Sequence, residues 1–346
     1  MLEIPENWSV KEIEELFHAN LHDLGILANS FNSDTVTFVV NRHINYTDVC
    51  ISKCPLCAFH KNREEGYLMS VEEVLKKAEE AVRLGATELH IVGGHNPDVS
   101  IEYFEDMFRA IKSKFPDVII KALTATEIHF LSKIEKTSVA EVLDRLKSAG
   151  LQAMPGGGAE ILDDSIRAKI CPNKANSEEW LNVMRCAHKL GIKSNATMLF
   201  GHIENYRHRA KHLYRLWKLQ EETEGFLAFI PLVFHPENTM LKKMGLVERR
   251  TDPVDILRTV AVSRIVLSNF KSVRAYWVML GERLASVALC YGANDVDGTL
   301  IEEKVTHAAG AKTPVYLPVE KLMWIIKGAG KRAAERDTFY NILRVF

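Results

Sequence analysis

Short apolar runs along the chain alternate with longer stretches in which apolar positions recur every three or four residues. Ser9 and Glu12 form a capping box, and Ile13, Leu16, Phe17, Leu21 and Leu24 follow at helical spacing, which predicts a helix from residue 9 to about 25. Residues 35–40 (Thr-Val-Thr-Phe-Val-Val) read as a strand rich in β-branched side chains. Ser70 with Glu73 caps a helix that stops near Gly85, and residues 88–92 form a short buried strand ending in Gly93-Gly94. The series continues with a helix over about 100–114, a strand over 118–123, a helix opened by Ser138 with Glu141, and a strand over 151–154. Next come a helix over about 177–190, a strand over 194–200, a helix over about 206–222 and an apolar strand over 226–234. Asp252-Pro253 starts a helix with proline at its first position, residues 273–280 read as a strand, and the remainder reads as mainly helical.

Strands separated by single helices imply parallel pairing with right-handed crossovers. Seven or eight such repeats, with nearly continuous apolar strands, fit an α/β (β/α)-barrel of the TIM type better than an open sheet. No linker, low-complexity segment or short repeat interrupts the series. One domain is therefore expected, with an N-terminal helical extension over 1–33, a barrel over 34–300 and a C-terminal helical extension over 301–346. Active sites of such barrels lie on the loops at the C-terminal ends of the strands. The chemically unusual segments fall there: three cysteines after the first strand, Gly93-Gly94-His95 after the second, and Thr124-Ala125-Thr126-Glu127 after the third. Pro155-Gly156-Gly157-Gly158-Ala159-Glu160, Gly201-His202-Ile203-Glu204 and His235-Pro236-Glu237-Asn238 follow the next three.

Composition narrows the function classes. Of 346 residues 47% are hydrophobic and 26% charged, the profile of a globular chain with a large core. Lys+Arg numbers 44 against 45 Asp+Glu, so no global basic field exists to hold nucleic acid or an anionic membrane. No apolar run of membrane-spanning length and no secretory signal is visible, so a cytoplasmic protein is expected. Six cysteines are too few for a disulfide-built scaffold.

Their distribution carries the chemistry. Cys50, Cys54 and Cys57 lie within one short loop, while Cys171, Cys186 and Cys290 are scattered. A [4Fe–4S] cluster takes four ligands, so three thiolates leave one iron open to a small molecule. Zinc held by three cysteines and His60 is the competing reading, although structural zinc usually brings its ligands as two pairs. The glycine segments invite functional and plain readings alike. Gly93-Gly94 permits close backbone approach or marks a turn. The segment from Pro155 to Glu160 lacks the Gly-Lys-Ser/Thr ending of a phosphate loop. It suits close packing over a ribose, with Glu160 accepting hydroxyl hydrogen bonds, or a turn whose glutamate caps a helix.

The spacing Cys50-x₃-Cys54-x₂-Cys57 resembles the radical S-adenosylmethionine superfamily. Longer segments resemble its futalosine-pathway and deazaflavin-forming branch: Pro155 to Ile161, Phe229-Ile230-Pro231, Asn195 to Glu204, Phe234 to Asn238, Ala275-Tyr276-Trp277 and Gly292 to Asp295. The likeness runs from about residue 35 to Arg336-Asp337. Val92-Gly93-Gly94 and Gly201-His202 depart from the Gln-Gly-Gly and Gly-Thr of the branch's cyclase.

The resemblance implies a [4Fe–4S] cluster on Cys50, Cys54 and Cys57, with S-adenosylmethionine chelating the open iron and consumed as a cosubstrate. It implies a transferase that joins the 5′-deoxyadenosyl group to the aromatic dicarboxylate 3-[(1-carboxyvinyl)oxy]benzoate, with loss of bicarbonate, in menaquinone biosynthesis. An electron donor such as flavodoxin or ferredoxin would be its partner. Gly93 and Gly94 would meet the methionine amino group, and Glu160 and Glu204 the nucleoside. Leu56 stands where an aromatic residue often packs near the adenine, and Phe59 is the substitute. The candidate catalytic and substrate-binding residues are His95, Glu127, Asn195, His202, His235 and Tyr276, each on a strand end or the loop after it. Each histidine is also readable as a satisfied structural residue.

Overall fold

The computed structural model describes residues 4–346. Its strands are β1 (Thr35–Val39), β2 (Asn41–Asn45), β3 (Glu88–Val92), β4 (Ile119–Ala122), β5 (Ala153–Met154) and β6 (Lys193–Phe200). They continue as β7 (Phe226–Val233), β8 (Ser272–Val273), β9 (Asp295–Gly298), β10 (Arg332–Arg336) and β11 (Ile342–Val345). Strands β2 to β8 form one curled sheet in sequence order, every pair parallel. Strand β9 completes the ring. It pairs in parallel with β1, and Asp295 bridges Arg274 just past β8. Strands β1 and β2 are successive halves of one nearly continuous strand, so the architecture is the expected parallel barrel with helices outside.

The long strands are buried on both faces. All of β6 except Lys193, and all of β7 except Leu232, is buried, as a sheet lined inside and covered by helices requires. Several expected helices sit where their caps place them. Ser70 closes a capping box on Val71–Arg83, Ser138 caps Val139–Ala149, and Pro253 opens Pro253–Val266.

Other elements differ from the sequence reading. The single helix expected over 9–25 is two helices, Val10–Leu16 and Leu21–Ser30, because Asn20 leaves the helical conformation and its side chain caps His22 and Asp23. Thr124 to Glu127 is not a loop. It is a capping box that starts the helix Ala125–Ile134. The helix Asp164–Ile170 was not expected. The strand expected over 273–280 ends after Val273, and Trp277–Ala288 is helix. The C-terminal region is not mainly helical. Besides Val305–Ala308 and Val319–Gly328, it contains β10, which pairs in parallel with β1, and β11, which pairs antiparallel with β10.

That C-terminal hairpin helps close the barrel at the N-terminal ends of its strands with buried ion pairs. Arg336 binds Asp295 at 2.6 Å, Lys121 binds Glu88 at 2.5 Å, and Thr338 donates to Glu88 at 2.9 Å. Burial pushes the Glu88 carboxyl up, but the charges of Lys121, Arg336 and Arg274 hold it well below the usual carboxylate range. No helix among the described residues is long and apolar enough to cross a membrane.

Candidate active site

A cavity of about 300 Å³ opens at the C-terminal ends of the strands and reaches down between them. Cys50, Cys54 and Cys57 line one end of it, with Gly93 and Gly94. The cysteine loop follows β2 and is held by backbone hydrogen bonds. Cys50 N donates to Lys61 O at 3.2 Å, Ile51 N to His95 O at 3.0 Å, and Cys57 N to Cys54 O at 2.9 Å. Gly94 is fitted against it: a Cβ there would lie 2.2 Å from the Val49 carbonyl oxygen and 2.8 Å from Cys50 Cβ.

Three thiols on one cavity wall beside a glycine cradle fit a cluster that spreads its ligands over three irons. Among the described residues no three His, Cys, Asp or Glu side chains converge on a point that would hold a single metal ion. Burial pushes the Cys54 thiol up to about 12, opposed by the nearby charge of Lys174. A cluster would hold these sulfurs as thiolates, as ligation requires. His60 places Nδ1 3.1 Å from the Cys57 carbonyl oxygen. Cys171 is buried and does not line the cavity.

Glu127 supports the glycine segment from below. Its Oε1 accepts from Gly93 N–H at 3.0 Å and from Tyr46 O–H at 3.0 Å, and its Oε2 from Thr124 N–H and O–H, both at 2.7 Å. Burial raises its pKa while those hydrogen bonds oppose the rise. It also lines the cavity, and its four hydrogen bonds within the chain all go to the frame of the site. His95 has a similar role toward the cysteine loop. Its Nδ1 lies 2.8 Å from Ser52 Oγ and its ring stacks on Phe130 at 4.8 Å, while burial lowers its pKa to about 3 and keeps it neutral.

Glu160 lines the cavity and pairs with Lys174 at 2.9 Å. Burial pushes it up, but the Lys174 charge, with Arg167 and His202, brings its pKa below the ordinary value, so it stays ionised. Lys174 has no motif around it, and sequence reasoning missed it. The preceding glycines allow close packing: a Cβ on Gly156 would stand 2.5 Å from Ala196 Cα on β6. Phe59, Asn195, His235 and Tyr276 also line the cavity. The Nδ1 of His235 is buried without a partner, and its Nε2 lies 3.3 Å from the Met279 carbonyl oxygen.

His202 and Glu204 do not line this cavity, contrary to their expected roles at substrate and nucleoside. Their side chains are fully buried and 2.9 Å apart. Glu204 also accepts from Gly201 N–H at 2.6 Å and pairs with Arg209 at 2.8 Å, and Arg209 continues to Asp255 at 2.8 Å. Burial pushes Glu204 up, but His202, Arg209 and the Gly201 N–H hold it well below the usual carboxylate range. The pair braces the turn after β6. The structure brings in four residues the sequence did not single out, His43, His90, Arg274 and Glu303, all lining the cavity.

Comparisons with known proteins agree with this geometry. A family model of the radical SAM superfamily matches residues 44–216, and one of the CofH/MqnC C-terminal region matches residues 223–345. The aminodeoxyfutalosine synthase of Thermus thermophilus is 46% identical over 312 residues, covering 89% of this chain and 84% of that protein. The 5-amino-6-(D-ribitylamino)uracil–L-tyrosine 4-hydroxyphenyl transferase of Methanocaldococcus jannaschii is 41% identical over 347 residues, covering 97% of each. The cyclic dehypoxanthine futalosine synthase of Halalkalibacterium halodurans is 38% identical over 349 residues, covering 99% and 93%. Among solved structures, methylornithine synthase aligns with a TM-score of 0.74 at 16% identity, covering 95% of this chain and 94% of that one, a likeness of fold.

Proposed function

The chain belongs to the radical SAM superfamily, with the CofH/MqnC type of C-terminal region, and from that premise we propose that it is an aminodeoxyfutalosine synthase. It would join the 5′-deoxyadenosyl group of S-adenosylmethionine to 3-[(1-carboxyvinyl)oxy]benzoate, consuming one water and releasing methionine and bicarbonate. The observation that carries the reading is the 46% identity to the Thermus enzyme over 312 residues. The Val92-Gly93-Gly94 and Gly201-His202 segments support it against the cyclase pattern.

Members of this superfamily use a [4Fe–4S] cluster to deliver one electron to S-adenosylmethionine and generate a 5′-deoxyadenosyl radical. In our reading Cys50, Cys54 and Cys57 hold the cluster, and Gly93 and Gly94 present their backbone to the methionine end. Glu127 fixes that backbone by accepting the Gly93 N–H. Glu160, ionised beside Lys174, accepts the ribose hydroxyls, and Phe59 packs near the adenine. Ile230, Leu232 and Phe234 wall the cavity with apolar surface that suits an aromatic ring and excludes water from reactive species. Asn195, His235 and Tyr276 supply hydrogen-bonding groups to the substrate. We place the reaction in the cytoplasm, with a flavodoxin- or ferredoxin-type electron donor.

The test is anaerobic incubation of the reconstituted enzyme with reductant, S-adenosylmethionine and 3-[(1-carboxyvinyl)oxy]benzoate, with products read by mass spectrometry. Aminodeoxyfutalosine is the expected product. Free 5′-deoxyadenosine alone would overturn the assignment. So would turnover of dehypoxanthine futalosine, or of tyrosine with 5-amino-6-(D-ribitylamino)uracil, in its place.

A further inference from the structure

The deep end of the cavity differs in character from its cluster end. His43 on β2 and His90 on β3 are register partners, and their rings stack with centroids 4.2 Å apart and planes at 26°. Both line the cavity, and no hydrogen bond within the described residues ties either imidazole. Arg274, just past β8, lines the same cavity. It donates Nε to Tyr340 at 3.0 Å, with Asp295 3.4 Å away, and Nη1 to Asp297 at 2.9 Å, which leaves Nη2 without a hydrogen-bond partner among the described residues. Donors that face a cavity without a partner on the protein are open to a ligand or to water.

The charges around them decide the sign of that ligand. Asp297 is matched by Arg274 at 2.9 Å, and Glu303 holds the His307 imidazole at 2.8 Å. Beneath, Glu88 is matched by Lys121 at 2.5 Å and Asp295 by Arg336 at 2.6 Å. Tyr276 is a buried phenol whose pKa burial raises well above its ordinary value. Each of these carboxylates therefore already has a partner on the protein, whereas two imidazoles and one guanidinium edge have donors to spare. An ammonium group would find no free carboxylate. A carboxylate would find three N–H donors, one of them charged.

Position decides which carboxylate. His43 lies two residues before the end of β2, and His90 three residues before Gly93, so both sit one layer deeper than the glycine segment at the cluster end. A ligand spanning the cavity has one end at Gly93-Gly94 and the other at this floor. We propose that His43, His90 and Arg274 form a carboxylate site at the floor of the cavity, and that it holds the ring carboxylate of the substrate while the enolpyruvyl end faces the cluster. The identity of the substrate rests on the reading above. The anion site rests on the donors and charges just described.

The test is anaerobic calorimetry on cluster-loaded enzyme with S-adenosylmethionine and no reductant, so that nothing turns over. The probes are 3-[(1-carboxyvinyl)oxy]benzoate, its analogue 2-phenoxyacrylate that lacks the ring carboxylate, and benzoate. Wild type should bind the full compound ~10- to 100-fold more tightly than the analogue, the worth of charge-assisted hydrogen bonds. His43→Leu and His90→Leu, which remove the donors, should each compress that ratio by about tenfold and leave the affinity for 2-phenoxyacrylate unchanged. Iron content and circular dichroism report whether cluster and fold are retained. A ratio near one in wild type overturns the proposal without any variant, and so does an undiminished ratio in both folded variants. If the enolpyruvyl compound does not bind but benzoate does, and His43→Leu weakens benzoate, the anion site stands and the substrate assignment falls.

Discussion

Glu127 accepts the Gly93 N–H at 3.0 Å, across 34 residues of chain, while closing the capping box of its own helix on Thr124. One buried carboxylate thus couples the third barrel loop to the second, and the start of a helix to the backbone that faces the cluster end of the cavity. Replacing it with Gln keeps the volume and removes half of its acceptor capacity, leaving two of four donors without a partner. Glu127→Gln should lose ~1–3 kcal/mol of stability, the cost of unsatisfied buried donors, and bind S-adenosylmethionine at least ~10-fold more weakly. Chemical denaturation and equilibrium binding check the two effects. Full stability with unchanged binding would show that the Gly93 segment does not need this support.

Gly94 makes the complementary case by what its absence of a side chain permits. The atoms a Cβ would meet are the Val49 carbonyl oxygen at 2.2 Å and Cys50 Cβ at 2.8 Å, so the backbone carrying the first cysteine would have to move. Gly94→Ala should cost ~1–3 kcal/mol, as overpacking does. More tellingly, it should lower the iron bound per chain and the rate of 5′-deoxyadenosine formation together. Iron analysis after anaerobic reconstitution is the measurement, and wild-type iron content would count against the fit.

How much of this could be read from the chain depends on whether a signal is local. The cysteine spacing, the glycine pairs and most capping boxes are local, and they located the cluster end of the cavity and the rhythm of the barrel. Thr124 with Glu127 carried the same capping signal as Ser70 with Glu73, but an unusual loop was expected there and the helix went unread. His43 sits in the polar string Asn41-Arg42-His43, which lacks the apolar pattern of a strand. It is a strand because tertiary pairing overrides the local pattern: residues 41–45 pair in parallel register with β3. Lys174 and Glu303 have no neighbours in sequence that mark them, and Arg274 was passed over although it directly precedes the Ala275-Tyr276-Trp277 segment. His202 and Glu204 show the opposite error: they are a recognisable segment at a strand end, yet their side chains turn into a buried network with Arg209.

Cys54 and Cys171 should separate under mutation although both are buried. Cys54 lines the cavity with Cys50 and Cys57, whereas Cys171 ends the helix Asp164–Ile170 as its C-terminal cap and does not reach the cavity. Cys54→Ala should abolish a stable four-iron cluster and all cleavage of S-adenosylmethionine. Cys171→Ala should bind wild-type iron and lose only ~1 kcal/mol, the cost of a small cavity. Iron analysis with thermal melts tells them apart. Loss of cluster in Cys171→Ala would mean that a fourth cysteine supports the site.

The buried histidines set the acid limb of stability. Burial lowers the pKa of His212 to about 3 and that of His188 to about 4, while their unfolded values lie near 6.5. His212 accepts from Leu162 N–H at 3.0 Å through Nδ1, a bond that a protonated ring cannot accept. Between the folded and unfolded pKa values the unfolded chain therefore binds protons that the folded chain refuses. The stability these neutral rings allow is intact above about pH 6.5 and falls as the pH drops toward 4 and then 3. Melting temperature measured from pH 7.5 down to 4 should fall. The fall should be shallower in His212→Gln, whose amide oxygen can accept the Leu162 N–H without titrating. An equally steep fall in the variant would assign the acid limb to other groups.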